Sequence, residues 1–340
     1  MQSANPKSQS ALRTPVFRAR LLAWYDAHAR DLPWRKDKDP YRVWLSEIML
    51  QQTRVAAVID HYHEFLRRFP TLQKLAAARE ARVLAAWSGL GYYRRARMLH
   101  AAAKVIVREL DGKFPPTAKE LLALPGVGRY TAAAIASIAF GEPVAVVDGN
   151  VERVLQRVLG KRLAGEDLWD SAEKLLDRHG PGDFNQAMME LGATICTPRA
   201  PACLTCPVFE LCATRGDIPA SEKAAPQKKR EIHYALDCRD GKVFLVQRPR
   251  NARLMASMWE LPEVSPPHRS TQPALALRHS VTVTDYTVLV WRRRPPREQS
   301  GKWVDFKQLG HIALTGLARK ILARSNHDRR PQKRDSSRRL

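Results

Sequence analysis

Leu124-Pro125-Gly126-Val127-Gly128-Arg129-Tyr130-Thr131-Ala132 places an apolar helix end, a Pro-Gly-x-Gly turn and a new helix start within nine residues. Glycines in such a turn let the backbone approach a neighbouring molecule, and the free N–H groups of a helix start bind anions. A phosphate of a nucleic-acid backbone fits that geometry, although a plain helix–turn–helix connection has the same spelling. Outward from this stretch, residues 15–191 read as helix after helix, short and amphipathic. Turn signals separate them at Phe69-Pro70-Thr71, at residues 112–116 and at Gly180-Pro181-Gly182. Leu72, Leu75 and Ala76, then Val83, Leu84 and Trp87, recur at the spacing of helices that bury one face. An all-α domain is expected.

Beyond Cys212 the composition changes. Residues 213–230 contain Pro219, Pro226 and the basic run Lys228-Lys229-Arg230, the composition of a linker. Short β-rich runs follow at residues 242–247 and 281–291, with a turn signal at Asp240-Gly241 and a helical stretch at residues 314–323. The expected organisation is a disordered N-terminus over 1–14, a helical domain over 15–212, a linker over 213–230, a small α+β domain over 231–323 and a basic disordered tail over 324–340.

The 340 residues carry 57 Lys and Arg against 34 Asp and Glu, a formal charge of +23, with 44% hydrophobic residues. An acidic disordered activator is excluded, and the length suits two domains that each bury a core. The excess points to a polyanionic partner, most simply nucleic acid. It is uneven: residues 1–220 hold 31 basic and 23 acidic groups, residues 221–340 hold 26 and 11. No window approaches 18 consecutive apolar residues, and residues 1–20 carry Lys7, Arg13, Arg18 and Arg20 without an apolar signal core. The expectation is a soluble protein, not exported and without a membrane partner.

Five cysteines are present, and Cys196-x6-Cys203-x2-Cys206-x5-Cys212 gathers four of them into 17 residues among Pro198, Pro201 and Pro207. Crowding of this kind suits metal ligation in a reducing compartment better than disulfides. Spacing alone leaves tetrahedral zinc and a cubane iron–sulfur cluster equally open. Cys238 stands apart and reads as a small buried apolar residue.

Two carboxylates stand out. Glu47, in Trp44-Leu45-Ser46-Glu47-Ile48-Met49-Leu50-Gln51-Gln52-Thr53, has apolar neighbours within one helical turn. Such surroundings push an acid towards protonation and so towards general-acid work near neutral pH. Gln51 and Gln52 add uncharged hydrogen-bonding groups suited to base edges or to a vacated stack. Asp148, in Val144-Ala145-Val146-Val147-Asp148-Gly149-Asn150-Val151, follows an apolar run and precedes a helical stretch as an N-cap. The helix dipole holds such a carboxylate ionised, as a group facing a developing cation requires.

Taken together, Asp31-Leu32-Pro33-Trp34-Arg35, the Glu47 helix, Gly89-Leu90-Gly91-Tyr92-Tyr93, the hairpin, Val147-Asp148-Gly149-Asn150-Val151 and the cysteine array resemble the adenine DNA glycosylases of the MutY type, within the helix–hairpin–helix base-excision superfamily. The resemblance implies a mainly α fold: an all-α helix–hairpin–helix glycosylase domain with a [4Fe–4S] loop, then a small α+β Nudix-like domain. It selects a [4Fe–4S] cluster on Cys196, Cys203, Cys206 and Cys212.

The implied activity is base excision repair of double-stranded DNA by a monomeric, cytoplasmic enzyme. Such an enzyme flips out adenine mispaired with 8-oxoguanine or guanine and cuts its N-glycosidic bond. By the same resemblance Glu47 protonates adenine at N7, Asp148 stabilises the oxocarbenium-like sugar, and Asn150 and Tyr130 support the site. Gln52 enters the duplex beside the oxidised base, and Leu50, Tyr92, Gly126, Gly128 and Arg129 are expected at the DNA. Trp34, Arg35 and Glu190 match the adenine pocket. Endonuclease III relatives carry at the Tyr130 position a Lys that forms a Schiff base, which a phenol cannot do, so a monofunctional glycosylase is implied. Alternatives are a related enzyme removing thymine or uracil opposite guanine, against which Glu47 argues because a pyrimidine lacks N7, and a non-catalytic iron–sulfur DNA-binding protein.

The second domain resembles the family's recognition domain through Trp259-Glu260-Leu261-Pro262 and Arg278-His279-Ser280, and no G-x5-E-x7-R-E signature is present. Where the family has Phe-Ser-His against the lesion, this chain has Val281-Thr282-Val283. His279 and Thr282 are the candidates for lesion recognition, and discrimination of the oxidised base is expected to be weaker or differently achieved.

Overall fold

A computed structural model describes residues 6–216, 227–266, 272–281, 284–296 and 298–327. The chain forms two compact units, residues 1–77 with 98–222, and residues 78–97 with 223–340.

The first unit is helical. It holds α1 (Pro6–His28), α2 (Pro40–Leu50), α3 (Val55–Arg68) and α4 (Leu72–Ala76). After α5 (Glu80–Ala86), which belongs to the second unit, come α6 (Arg94–Glu109), α7 (Ala118–Leu121), α8 (Arg129–Phe140), α9 (Gly149–Leu159), α10 (Gly165–Leu175) and α11 (Pro181–Thr194). Helix starts follow local chemistry: Asp39 caps α2 with Pro40 in its first turn, Thr71 caps α4 and Thr117 caps α7. Helix α8 begins at Gly128 without a side-chain cap, so its first N–H groups are not taken by a side chain. Alanine-rich α8 is buried, and Phe17, Leu21, Val154, Leu155, Phe184 and Met188 bring α1, α9 and α11 into one core.

Gly126, in the turn between α7 and α8, has φ +74°, and a Cβ there would stand 2.3 Å from Cβ of Met98. The turn is therefore closed for both dihedral and steric reasons. At the N-terminus, α1 starts at Pro6, so residues 6–14, expected to be disordered, are helical. Pro6 costs nothing in the first turn, and Gln, Ala, Leu and Arg are good helix formers.

The second unit combines α5, β1 (Lys228–Ala235), β2 (Cys238–Arg239), β3 (Lys242–Gln247), β4 (Trp259–Glu260), β5 (Leu275–Val281), β6 (Thr284–Trp291), β7 (Gly301–Asp305) and α12 (Gly316–His327). One sheet has the order β1-β6-β5, with β1 parallel and β5 antiparallel to β6; in the other, β3 pairs with β2, β4 and β7. Asp240 (φ 47°) and Gly241 (φ 72°) both take left-handed conformations in the β2–β3 turn, as a two-residue hairpin requires. Val243, Leu245, Val288, Val290, Ile321 and Leu322 fill the core between sheets and α12.

The β-rich run 281–291 divides: its first residue ends β5 and its last eight form β6, antiparallel to it. Three expectations are corrected. The basic end of the expected linker, Lys228-Lys229-Arg230, pairs with Thr284, Asp285 and Tyr286 as the start of β1, and α12 runs four residues past the expected end at 323. Residues 78–97 leave the helical domain for the second unit because Ser88 Oγ and the Tyr93 hydroxyl both donate to the Leu314 carbonyl, at 2.9 and 3.1 Å. Residues 328–340 and 217–226 lie outside the described part. Among the described residues no helix is long and apolar enough to cross a membrane.

Candidate active site

Helix α2 carries Glu47 on its inward side among buried Val43, Trp44 and Ile48, and the residue is only 6% exposed. The hydroxyl of Tyr130, from the first turn of α8, donates to Glu47 Oε2 and lies 3.6 Å from Met189 Sδ. Burial pushes the Glu47 carboxyl up to about 7; the Tyr130 hydrogen bond opposes the rise, nearby Asp148 adds to it, and Arg35 opposes it. Burial, and then the charge of Glu47, raises the Tyr130 phenol well above its ordinary value, so it stays a donor. A protonatable acid is thereby fixed beside a second carboxylate.

That second carboxylate caps α9. Asp148 Oδ1 accepts from the backbone N–H of Asn150 at 2.9 Å and of Val151 at 2.7 Å, and Oδ2 accepts from Asn150 Nδ2 at 2.8 Å. Both carboxylate oxygens thus accept hydrogen bonds at the helix N-terminus. Asn150 is held in turn by Arg153, which donates to its Oδ1 at 2.8 Å and to the carbonyls of Gly192 at 2.6 Å and Cys196 at 2.7 Å. Helix α11 approaches this point closely: a Cβ on Gly192 would lie 2.6 Å from Cβ of Asn150.

On the α2 side, Glu190 of α11 is buried and clamped. It accepts from Arg30 Nε at 2.6 Å, Arg30 Nη2 at 2.8 Å and Arg35 Nη2 at 2.8 Å. Burial works against its charge, but the two guanidinium groups prevail and hold the carboxyl at about 2. Arg35 lies over the Tyr25 ring, 5.4 Å from its centroid, and buried Trp34 meets Tyr62 edge-on at 5.5 Å. Arg35 thus pairs with Glu190 while Trp34 packs on Tyr62, and Arg30, which also pairs with Glu190, is absent from the residues that the resemblance singled out. Arg30 sits just before the Asp31–Arg35 motif, and Arg153 and Arg157 are one turn apart on α9. Those spacings were the only local signals for them.

Among the residues expected at DNA, Leu50 ends α2 half-buried, and exposed Gln52 adopts φ 53° in the turn after it. Gly126 and Gly128 are exposed in the hairpin. Arg129 is turned to the protein: it pairs with Glu166 at 2.6 Å and stacks 4.0 Å from the Trp169 centroid. In the second unit, Tyr92 is 48% exposed with φ 47°, and Arg95 lies over its ring at 5.3 Å and over Trp87 at 5.6 Å. There too, His279 is half-buried on β5 opposite Tyr286, its pKa lowered by burial and then by Lys320. Thr282 lies outside the described residues.

The four cysteines of the array follow α11 in a loop with two short 3-10 turns, Cys203–Thr205 and Phe209–Leu211. Arg157 ties the loop to α9, donating to Cys196 Sγ at 3.3 Å, the Thr197 carbonyl at 2.8 Å and the Pro198 carbonyl at 3.1 Å. Burial raises the Cys206 thiol to about 11, a hydrogen bond from the Val208 backbone opposes the rise, and the charges of Cys196, Cys212 and Cys203 add to it. Among the described residues, no group of three or more His, Cys, Asp or Glu side chains is set to hold a single metal ion. Four soft thiolates beside two arginines are a donor set that fits an iron–sulfur cluster.

Residues 45–173 match the HhH-GPD superfamily base excision DNA repair proteins. The chain is 42% identical over 343 residues to the adenine DNA glycosylase of Rattus norvegicus, a match covering 77% of this chain and 66% of that protein. It thus spans just under two thirds of that relative's length. A 34% identity over 327 residues links it to the adenine DNA glycosylase of Schizosaccharomyces pombe, covering 76% of this chain and 71% of that one. Among solved structures, a thermostable thymine-DNA glycosylase superposes with a TM-score of 0.58 and 32% identity over 62% of this chain and 99% of that chain. With the hairpin, the capped aspartate and the buried glutamate in place, the chain belongs to the adenine DNA glycosylase family of the helix–hairpin–helix base excision repair proteins.

Proposed function

We propose that this protein is a monofunctional DNA glycosylase that excises adenine mispaired with 8-oxoguanine or guanine in duplex DNA. The observation that carries the proposal is Glu47: a buried carboxyl with a pKa of about 7, hydrogen-bonded by Tyr130 and near Asp148. Half of such groups hold a proton near neutral pH, which suits a general acid. Glu47 delivers that proton to N7 of the flipped adenine, the C1′–N9 bond breaks, and the electron pair leaves with the base. Asp148 faces the positive charge that develops on the sugar. Water then adds at C1′ and gives its proton to the Glu47 carboxylate, which restores the acid. Tyr130 offers a phenol where a Schiff base would need an amine, so an abasic site is the product.

Cys196, Cys203, Cys206 and Cys212 would hold a [4Fe–4S] cluster, whose contribution here is to fix the loop against α9. The second unit is the Nudix-like lesion-recognition domain, with His279 and Thr282 as the candidates for lesion recognition, and the protein acts as a cytoplasmic monomer at the nucleoid. Gln52, Leu50, Tyr92, Gly126 and Gly128 meet the duplex; Arg129 supports the hairpin through Glu166 and Trp169.

Duplexes with A opposite 8-oxoguanine, A opposite guanine, and T or U opposite guanine, incubated with the purified protein, test the reading by the base released. Adenine from the first two supports it. Thymine or uracil release without adenine overturns it in favour of the pyrimidine enzyme, to which the thymine-DNA glycosylase structure draws attention.

A further inference from the structure

The second unit contains a cavity of about 350 Å³ bordered by Asp237, Arg239, Arg292, Arg293, Arg294 and Phe306, among others. Three arginines in succession leave β6 at this point, directly after buried Trp291, and all three are exposed. Arg239 is already fixed: it forms a two-pronged pair with Asp237 at 3.0 and 2.7 Å and lies 5.1 Å from the Trp303 ring centroid. Asp237 is thus spent on Arg239. Neither Arg293 nor Arg294 has a carboxylate partner among the described residues. Like charges gathered around one concavity repel in the free protein, and an entering anion relieves that repulsion. Guanidinium forks match phosphate oxygens in geometry as well as charge.

We propose that this cavity is a phosphate site and that its occupant is a backbone phosphate of the DNA duplex. The ligand class follows from the arginines. The choice of DNA over a free nucleotide rests on the functional reading above and on the basic excess of residues 221–340, where 26 Lys and Arg face 11 Asp and Glu. The contact positions the second unit on the duplex and carries no sequence information. It is distinct from the hairpin, whose N–H groups lie in the first unit.

The test compares the holoprotein with an Arg293→Gln/Arg294→Gln variant, which removes exposed, unpartnered side chains and leaves the fold intact. An Arg250→Gln/Arg253→Gln variant removes two other exposed arginines of the same unit and serves as control. Binding to a fully paired duplex is followed by fluorescence anisotropy across salt concentrations. The expected result is a plot of log K against log salt shallower by about 1 for the cavity variant, with about fivefold weaker binding near 0.15 M salt, and a smaller change for the control. Unchanged slope, or an equal change in the control, overturns the proposal. Titration with tripolyphosphate provides the other arm: binding to the wild type and not to the variant, with an unchanged DNA slope, assigns the site to free phosphates and overturns the DNA assignment. The slope reads binding to paired DNA, so failure of adenine excision in the same preparations would remove the functional reading without altering this result.

Discussion

The hydroxyl of Tyr130, in the first turn of the helix that follows the hairpin, donates to Oε2 of Glu47 on α2. The bond joins the element that reads as DNA-binding to the acid that reads as catalytic. It also tunes the acid, because a hydrogen bond to the carboxylate lowers the pKa that burial has raised. Tyr130→Phe removes that opposition. The alkaline limb of the single-turnover excision profile is expected to move to higher pH, and a limb that stays in place would separate Tyr130 from the acid.

The same raised pKa sets the pH dependence of stability. The folded state binds the Glu47 proton more tightly than the unfolded chain does, with a pKa of about 7 against 4.5. This group's favourable contribution is therefore complete below about 4.5 and lost as the pH rises through about 7. Glu47→Gln keeps the shape and never ionises. In denaturant unfolding it is expected to exceed the wild type by about 3 kcal/mol at pH 8, a gain that disappears by pH 4. Equal stability at both pH values would show that Glu47 is not desolvated.

Gly192 is the point at which α11 meets the cap of α9, with space for no Cβ beside Asn150. Gly192→Ala is expected to cost about 1–3 kcal/mol and to slow adenine release at saturating enzyme, since Asn150 and Asp148 share the displaced turn. Unfolding midpoints and single-turnover rates check this. Loss of stability with an unchanged rate would disconnect that turn from the chemistry.

Arg157 is buried and holds two loop carbonyls and a cysteine sulfur. Arg157→Met leaves those acceptors without their donor, a loss of about 2–3 kcal/mol. The purified variant is expected to lose iron to a chelator faster than the wild type, as followed by iron analysis and visible absorbance. Identical rates would mean that the loop does not need this anchor.

Tyr130 also bears on the proposed product. With a phenol at this position, borohydride added during turnover is expected to trap no covalent protein–DNA complex, and the abasic strand stays uncut until treated with alkali. A trapped complex on denaturing gels would mean that another amine serves as nucleophile.

The parts of the site that were legible in the sequence are those whose cause is local. The hairpin is spelled by glycines within four residues of one another, the cap by Asp148 directly before its helix, and the acid by apolar neighbours one turn away. Arg30 with Glu190, and Arg153 with the Gly192 and Cys196 carbonyls, are contacts across long sequence separations, and no local pattern announces them. The same holds for the fold. The β2–β3 turn is readable from Asp240-Gly241, whereas the β-rich run 281–291 does not show where β5 gives way to β6, because β-branched residues continue through it. Residues 78–97 were placed with their neighbours in sequence; the Leu314 carbonyl, far along the chain, places them in the second unit.

The central claim is that Glu47 supplies the proton that releases adenine. Single-turnover adenine release from a duplex with A opposite 8-oxoguanine, measured for wild type and Glu47→Gln alongside their affinities for the same duplex, tests it most directly. The account predicts retained affinity with release slowed at least about a hundredfold in the variant. Release at the wild-type rate by Glu47→Gln would contradict it.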